Sequence, residues 1–388
     1  MTKVASHPPT PSTMTSTQKD NVVVVGGGIS GVTVAQGLSK KLDHRKFNLI
    51  LIEPRPFHVW LPAAARMVVT SDEKFAETAV FPFDRVFAKD KGTVRQDKVV
   101  SIKTGKGEEA GELELASGET LQYRALVLAT GSKWSGPIDL PDSEADFRKC
   151  VTQWREKIRA APDIVIVGGG AVGVELSGEI RDEYPEKHIT LVHGQDNLLN
   201  DTYPAKYRNR VKAGVAARNI DLMLGEFVTE FPPSGSGELV LRSGERLNAG
   251  LVVITSGPKP NTGFIGTSLG PEALTETKLV KVEKTLQLRS HPAIFAAGDI
   301  VDWKEQKQAA KANGHGPVVV ANVLNLLAGK PDRKEYGGFP EIIMITNGRN
   351  GGSAYLPYLW GIVLGSFITV LVKSKGLLIW MTRAKMGY

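Results

Sequence analysis

The chain carries the same phosphate-binding turn twice. The first copy is Val22-Val23-Val24-Val25 running into Gly26-Gly27-Gly28-Ile29-Ser30-Gly31, and the second is Ile164-Val165-Ile166-Val167 running into Gly168-Gly169-Gly170-Ala171-Val172-Gly173. Each reads as a short β-branched strand, a GxGxxG turn and the start of a helix. The first glycine of such a turn (Gly26, Gly168) makes the bend, and the second (Gly28, Gly170) lets the backbone approach a pyrophosphate. The third (Gly31, Gly173) lets helix pack on strand, with the phosphate at the helix N-terminus. One glycine-rich turn is a weak signal. Two, each directly after a strand, predict that one chain holds two dinucleotides and that electrons pass between them.

The elements that follow repeat as well. After Gly31 a helix is expected to run to about Leu42, and the strand Phe47–Ile52 then ends in Glu53. That carboxylate lies about 20 residues beyond the turn, the spacing at which an acid hydrogen-bonds a bound ribose. In the second unit the strand from His188 to Val192 ends at His193 instead. An acid there would bind the 2′-hydroxyl of NADH and repel the 2′-phosphate of NADPH. His193 does neither strongly, so loose discrimination is expected, whether His193 touches the ribose or is a strand-end histidine facing solvent. A hairpin, LELASGETL over 113–121, precedes the strand Ala125–Leu128, which stops at Ala129-Thr130-Gly131. Its counterpart, ELVLRSGERL over 238–247, precedes Leu251–Ile254, which stops at Thr255-Ser256-Gly257. A further strand, Ala293–Ala296, ends at Ala297-Gly298-Asp299.

Composition narrows the chemistry. A length of 388 residues fits two or three domains. The single cysteine, Cys150, rules out an internal disulfide, a paired-cysteine redox centre and a cysteine-rich metal site, and it fits a reducing compartment. It has no neighbouring His or second Cys to activate it and is expected to be structural. Residues 1–20, rich in Ser, Thr and Pro, read as a disordered tail. They lack the apolar core of a secretory signal and the arginines of a mitochondrial presequence, and Thr2 excludes N-myristoylation. The net charge of +7 is unevenly placed: no acidic residue follows Glu341, while Arg349, Lys373, Lys375, Arg383 and Lys385 do. The same stretch holds the most apolar run, from Tyr358 to Val372. Basic and apolar together point to an anionic membrane surface more than to nucleic acid. As a helix the run would be about 22 Å long at ~1.5 Å per residue, short of the ~30 Å hydrocarbon core. A buried strand–helix pair with one face touching lipid is therefore expected rather than a spanning helix.

The strings GGGISG, LVLATGS, GGGAVGVE, VVITSGPKPN and IFAAGDI occur in this order, and through them the chain resembles the two-dinucleotide flavoproteins of the pyridine nucleotide-disulfide oxidoreductase superfamily. Further stretches narrow the likeness: Phe57-His58 with Ala63-Ala64-Ala65-Arg66, then Glu183-Tyr184-Pro185-Glu186-Lys187, MITNGRNG over 344–351, and Leu371-Val372-Lys373-Ser374-Lys375. These resemble the ferroptosis-suppressor and apoptosis-inducing-factor-like, mitochondrion-associated FAD-dependent NAD(P)H:quinone oxidoreductases. The resemblance implies an α/β fold of two Rossmann-like dinucleotide-binding domains. An FAD domain (21–132 and 257–334) would carry an inserted NAD(P) domain (133–256), followed by a small α+β C-terminal domain (335–388) associated with membrane and quinone.

The same resemblance implies FAD wrapped by Gly26, Gly27, Gly28, Ile29, Ser30 and Gly31, with Glu53 on its ribose and contacts from Arg66, Val100 and the Thr130-Gly131 turn. Asp299 would hold the ribityl chain, since a carboxylate after a buried strand is costly without a partner. NADH or NADPH would lie on Gly168, Gly170 and Gly173. Glu175 would stand at the nicotinamide–flavin junction and Lys373 beside flavin and quinone. The bland alternatives are dipole compensation for Glu175 and a snorkelling charge for Lys373. The implied activity is hydride transfer from NAD(P)H to FAD and electron delivery to a quinone at a membrane surface, without a redox disulfide. It would operate as a cytoplasmic, peripheral membrane protein on the cytosolic face of lipid droplets or the mitochondrial outer membrane. Two other readings share features of this chain, a respiratory-type alternative NADH dehydrogenase and a non-enzymatic DNA-binding cell-death effector. For the second, a charge of +7 is modest and no basic stripe interleaved with aromatics occurs, so no specific nucleic-acid partner is expected. The sequence carries no signal of oligomeric state.

Overall fold

The two β-branched runs become inner strands of two separate parallel sheets. In the computed structural model, which describes residues 19–105, 110–331 and 334–388, Asp20–Val25 lies between Phe47–Ile52 and Ala125–Leu128. The expected tail lies outside the described residues except for its last two, and Asp20 already begins a strand. This sheet continues to Thr93–Arg95 on one side. On the other it continues to His291–Ala296, with Gln287–Leu288 as an antiparallel edge. In the second sheet Asp163–Val167 lies between His188–His193 and Leu251–Ile254, with Asp221–Leu224 outermost. Parallel strands covered on both faces read as unbroken apolar runs, and Val22, Val23 and Val24 are fully buried.

Helices Ile29–Lys41 and Ala309–Leu327 pack closely on each other because glycines face the contact. A Cβ on Gly37 would stand 2.7 Å from Val320 Cγ2, and one on Gly316 would collide with Thr33. The chain leaves the first sheet through Ser132–Lys133 and returns through Lys259–Pro260, and these two segments pair antiparallel. The second sheet is thus built from chain inserted between two parts of the first. Each sheet is accompanied by a three-stranded antiparallel unit, from residues 99–123 and 228–249.

The C-terminal module is a three-stranded antiparallel sheet (Ile343–Thr346, Gly352–Leu356, Ile362–Leu364). A short helix Ser366–Thr369, a π-turn Val370–Ser374 and the helix Ile379–Met386 follow it. The apolar run is therefore broken into turn, strand and helical turns, and no helix among the described residues is long and apolar enough to cross a membrane. Of the expected buried strand–helix pair with one face towards lipid, the strand and a short helix are present, but the burial needs correction: of residues 358–372 Thr369 alone is buried, while Trp360 is fully exposed, Phe367 is 81% exposed, and Leu359 and Leu371 join them.

The strings that set this chain apart from generic two-dinucleotide proteins meet at the junction of the modules. Arg349 of MITNGRNG donates to Glu183 (3.1 Å), and its backbone N–H donates to Asp182. Glu183 also accepts from the Ser71 backbone N–H at 2.8 Å. Lys187 is buried and donates to the carbonyls of Arg159 (2.9 Å) and Ala161 (2.7 Å), closing the end of helix Glu144–Ala160. Beneath them Arg66, 3% exposed, makes a two-pronged ion pair with Glu179 at 2.7 and 2.8 Å. Its guanidinium also donates to the carbonyls of Ser374 (2.5 Å) and Lys375 (2.7 Å). One side chain thereby ties the first nucleotide unit to the second and to the C-terminal module. Burial pushes the Glu179 carboxyl up, and Arg66 opposes that shift. Arg66→Met leaves the carboxylate buried and unpaired and should cost about 3–5 kcal/mol of unfolding free energy. Urea denaturation of the flavin-loaded protein measures it, and a loss below about 1 kcal/mol would show that the modules are held together elsewhere.

Candidate functional site

Both glycine turns are shaped by contacts that only glycine allows. Gly26 (φ +106°) and Gly168 (φ +124°) occupy backbone space that L side chains avoid. A Cβ on Gly31 would collide with the carbonyl of Gly26, and one on Gly173 with that of Gly168, so each helix starts directly over its turn. The middle glycines differ in kind. No protein atom lies within 4 Å of the Cβ position of Gly28 or Gly170, and both cap their helices without any side-chain hydrogen bond. Open space and uncapped N–H groups are what a pyrophosphate requires. The chain therefore fits two dinucleotides on its own geometry.

Around the first turn, Glu53 is nearly buried. Its Oε2 accepts from the Gly27 N–H (2.5 Å) and its Oε1 from the Arg55 N–H (3.2 Å). Burial pushes this carboxyl up, and those two N–H groups with the Arg55 charge oppose the shift. Glu53, Thr130 and Gly131 line one cleft. Thr130 Oγ1 donates to the Asn261 carbonyl (2.7 Å), tying the Thr130-Gly131 turn to the returning chain. A second cavity, of about 290 Å³, runs on from it and shares Gly28, Leu61, Gly131 and Ser132, so the two form one continuous trough.

Asp299 stands in this second cavity. It accepts from Ser132 Oγ (2.9 Å), and burial pushes its carboxyl up against the pull of Ser132, Lys307 and His315. The loop that carries it is held from beneath. The Gly298 N–H donates to His315 Nδ1 (2.9 Å), His315 Nε2 faces Glu305 Oε1 (3.3 Å), and Tyr336 donates its hydroxyl to Glu305 Oε2 (3.0 Å). Sequence reasoning missed this set, and its only trace is a histidine just before the apolar stretch Pro317–Ala321 of its helix. His58 was carried only by resemblance, and its place is now plain. Its buried Nδ1 donates to the Gly27 carbonyl (2.9 Å) under the phosphate turn. Trp134 stands in the cavity wall, and its buried Nε1 has no partner among the described residues.

The two residues nominated for chemistry are brought together although they are far apart in sequence. Lys373 Nζ donates to Glu175 Oε1 (2.7 Å) and to the Met344 carbonyl (2.8 Å), and both side chains are 13% exposed in the wall of the same cavity. The Thr346 N–H donates to the same Glu175 oxygen (3.1 Å). Glu175 is thus more than a dipole charge, and Lys373 does not snorkel. Lys373 sits in the π-turn, a widened turn of the kind that recurs at functional sites.

At the second turn, His193 holds the position that Glu53 holds at the first: its Nδ1 accepts the Gly169 N–H (3.1 Å). Burial pushes its pKa down, so it is neutral at pH 7. Two residues from the resemblance are not brought to either cleft. Arg66 spends its guanidinium on Glu179 and two carbonyls. Val100 is 41% exposed and does not line the cleft, although its neighbours Lys98 and Val99 do. Cys150 is half-buried on helix Glu144–Ala160, its thiol pushed up by burial, and it lines neither cavity.

Comparison with known proteins agrees with this architecture. Residues 20–316 match the profile of the family described as pyridine nucleotide-disulphide oxidoreductase. The chain is 41% identical over 321 residues to the FAD-dependent oxidoreductase FVFD30 of Flammulina velutipes, covering 83% of this chain and 99% of that one. It is 32% identical to ferroptosis suppressor protein 1 of Taeniopygia guttata, covering 94% of this chain and 95% of the relative. Among solved structures, the sulfide:quinone oxidoreductase of Aquifex aeolicus superposes with a TM-score of 0.76 at 18% identity, over 94% of this chain and 92% of that one.

The buried imidazole of His58 gives a pH signature. Desolvation lowers its pKa from 6.5 to about 4. Between these values the unfolded chain binds a proton that the folded chain refuses. Stability therefore falls as pH drops from 6.5 towards 4, by about 3 kcal/mol in all. His58→Gln, which keeps a donor for the Gly27 carbonyl but cannot titrate, should lose markedly less stability than the parent between pH 7 and 4.5. Equal losses in paired urea titrations would mean that the folded chain accepts the proton.

Proposed function

Because the chain belongs to the pyridine nucleotide-disulphide oxidoreductase family, we propose that it oxidises NADH or NADPH and delivers the electrons to a quinone at a membrane surface. It is an FAD-dependent oxidoreductase with a nicotinamide donor. The quinone and the membrane are the proposal. Bound FAD supplies the two-electron chemistry that links donor to acceptor. The net reaction is NAD(P)H plus a proton plus quinone giving NAD(P)⁺ plus quinol, so the site must bind, align and deliver protons.

The observation that carries the reading is the Glu175–Lys373 pair in a chain with one cysteine. Without a dithiol within the chain to visit, electrons leave directly for an acceptor that reaches the cavity. Two hydrogens of Lys373 Nζ are committed to Glu175 and Met344, which leaves the third for a carbonyl oxygen of that acceptor. Glu175 fixes Nζ in place. Val172 and Leu61 give the cavity apolar wall that excludes water, while Asp299 and the Gly28 turn would hold the cofactor. The residues just before Lys373 in the same turn, Leu371 and Val372, are exposed and apolar, so the lysine and the lipid-suited surface are parts of one turn. A lipid-soluble acceptor entering beside that turn fits both, as does the resemblance to ferroptosis-suppressor quinone reductases. Lys375 and Arg383, exposed on the same module, add attraction to anionic lipid on the cytosolic face, about 1 kcal/mol for each charge near the surface.

Two measurements test this. FAD-loaded protein should turn over NADH with a short-chain quinone, and Lys373→Ala should lower kcat/KM for the quinone about 30-fold, or ~2 kcal/mol. In anaerobic stopped flow the same variant should still lose its flavin absorbance with NADH at close to the parent rate. Absence of quinone turnover in the parent would sink the reading. The neutral His193 leads to a second expectation: NADH and NADPH should differ in kcat/KM by no more than about 30-fold. His193→Asp should then shift the preference towards NADH by repelling the 2′-phosphate. A parent preference above about a thousandfold, ~4 kcal/mol, would show that another residue reads the ribose.

A further inference from the structure

Away from both nucleotide clefts, a cavity of about 420 Å³ lies between helix Ala205–Ala216 and the C-terminal module. Its wall is part apolar (Val174, Val211, Ile345) and part basic. Arg210 and Arg218 line it with Asn347, Ser353 and Ser366, and no acidic side chain does. Arg218 pairs with Asp182, which stands outside the wall, but its Nε is buried and has no hydrogen-bond partner. Asn347 is 6% exposed; its Nδ2 donates to the Gly214 carbonyl (2.9 Å), and its buried Oδ1 is unpartnered. Arg210 makes no ion pair and no side-chain hydrogen bond among the described residues, yet its guanidinium is laid against the Gly365–Ser366 turn so closely that a Cβ on Gly365 would collide with it. An unpaired guanidinium, a second arginine whose Nε has no partner among the described residues, and a wall without a carboxylate are the chemistry of an anion site, and arginine matches phosphate oxygens in a fork.

We propose that this cavity binds a phosphate ester, and that its source is the headgroup of a membrane lipid. The lipid source follows from what adjoins the wall. Ser366 lines the cavity while Phe367, the next residue, is 81% exposed, and Leu371 lies one helical turn further on. An anionic head in the cavity would place its acyl chains over those side chains. The lipid source rests on the membrane reading above, whereas the phosphate chemistry does not.

Isothermal titration of the full-length, FAD-loaded protein with dihexanoyl phosphatidic acid and, separately, with inorganic phosphate tests the site. Flotation with phosphatidylcholine vesicles, with and without phosphatidic acid, tests the membrane. Arg210→Gln should weaken the short-chain lipid about tenfold or more, the usual loss when a charged hydrogen-bond donor is removed. Lys149→Gln removes the same charge at an exposed position outside the cavity and the C-terminal module and should change that affinity less than about twofold. Neither variant should alter NADH turnover with a soluble quinone, which serves as the check on folding. Equal effects of the two substitutions on the soluble lipid would overturn the site. Inorganic phosphate binding as tightly as the short-chain lipid would overturn the lipid source. Arg210-dependent binding of the soluble lipid without vesicle binding would sustain the phosphate site and refute the membrane reading. Vesicle binding indifferent to Arg210 would overturn the lipid source and leave the membrane reading standing.

Discussion

The arrangement of the whole molecule depends on one buried guanidinium. Arg66 projects from the first nucleotide unit, clasps Glu179 on the helix that starts at the second glycine turn, and takes two carbonyls of the C-terminal module. Taking two charges out of water is expensive, and their attraction repays it only when the geometry is good and the remaining donors are used. Here four donor contacts are made. The contribution of such a pair lies less in net stability than in registration. The helix fixed by Glu179 also carries Glu175, so the clasp sets where that carboxylate of the second unit stands relative to the first unit's trough.

The duplicated turns show how one local design serves two ligands. In each unit the strand beside the glycine turn ends in a residue that accepts the N–H of the turn's second residue, from Gly27 to Glu53 and from Gly169 to His193. The hydrogen bond is kept and the charge is not. A carboxylate suits a ribose with free hydroxyls, while a neutral imidazole leaves room for a ribose with or without a phosphate.

Much of the fold was legible because its signals are local. The strand over Phe47–Ile52 begins and ends where the apolar run does, and the hairpins turn at Ser117-Gly118 and Ser243-Gly244, where glycine takes positive φ. The turn glycines announced their roles for the same reason. Partnerships across the chain left no such trace. Nothing near Glu175 in sequence points to Lys373, and resemblance alone placed them in one region. The Gly298–His315–Glu305–Tyr336 set and the clasp of Arg66 depend on how modules dock, which composition and periodicity do not encode. The apolar run of the C-terminal module misled in an instructive way. Hydropathy tells that a face avoids water but not whether protein covers it, and here Trp360 and Phe367 are left bare.

The widened turn at Val370–Ser374 has one more consequence. Its carbonyls are gripped by Arg66 at Ser374, its lysine by Glu175, and its apolar side chains face outward. The turn is therefore a lever with its fulcrum inside the protein and its long arm in the surroundings. Only the step from Val372 to Lys373 separates the exposed face from Nζ. A substitution that reshapes the outer face of this turn therefore also moves the ammonium that Glu175 holds, so surface and cavity cannot be altered independently within these five residues.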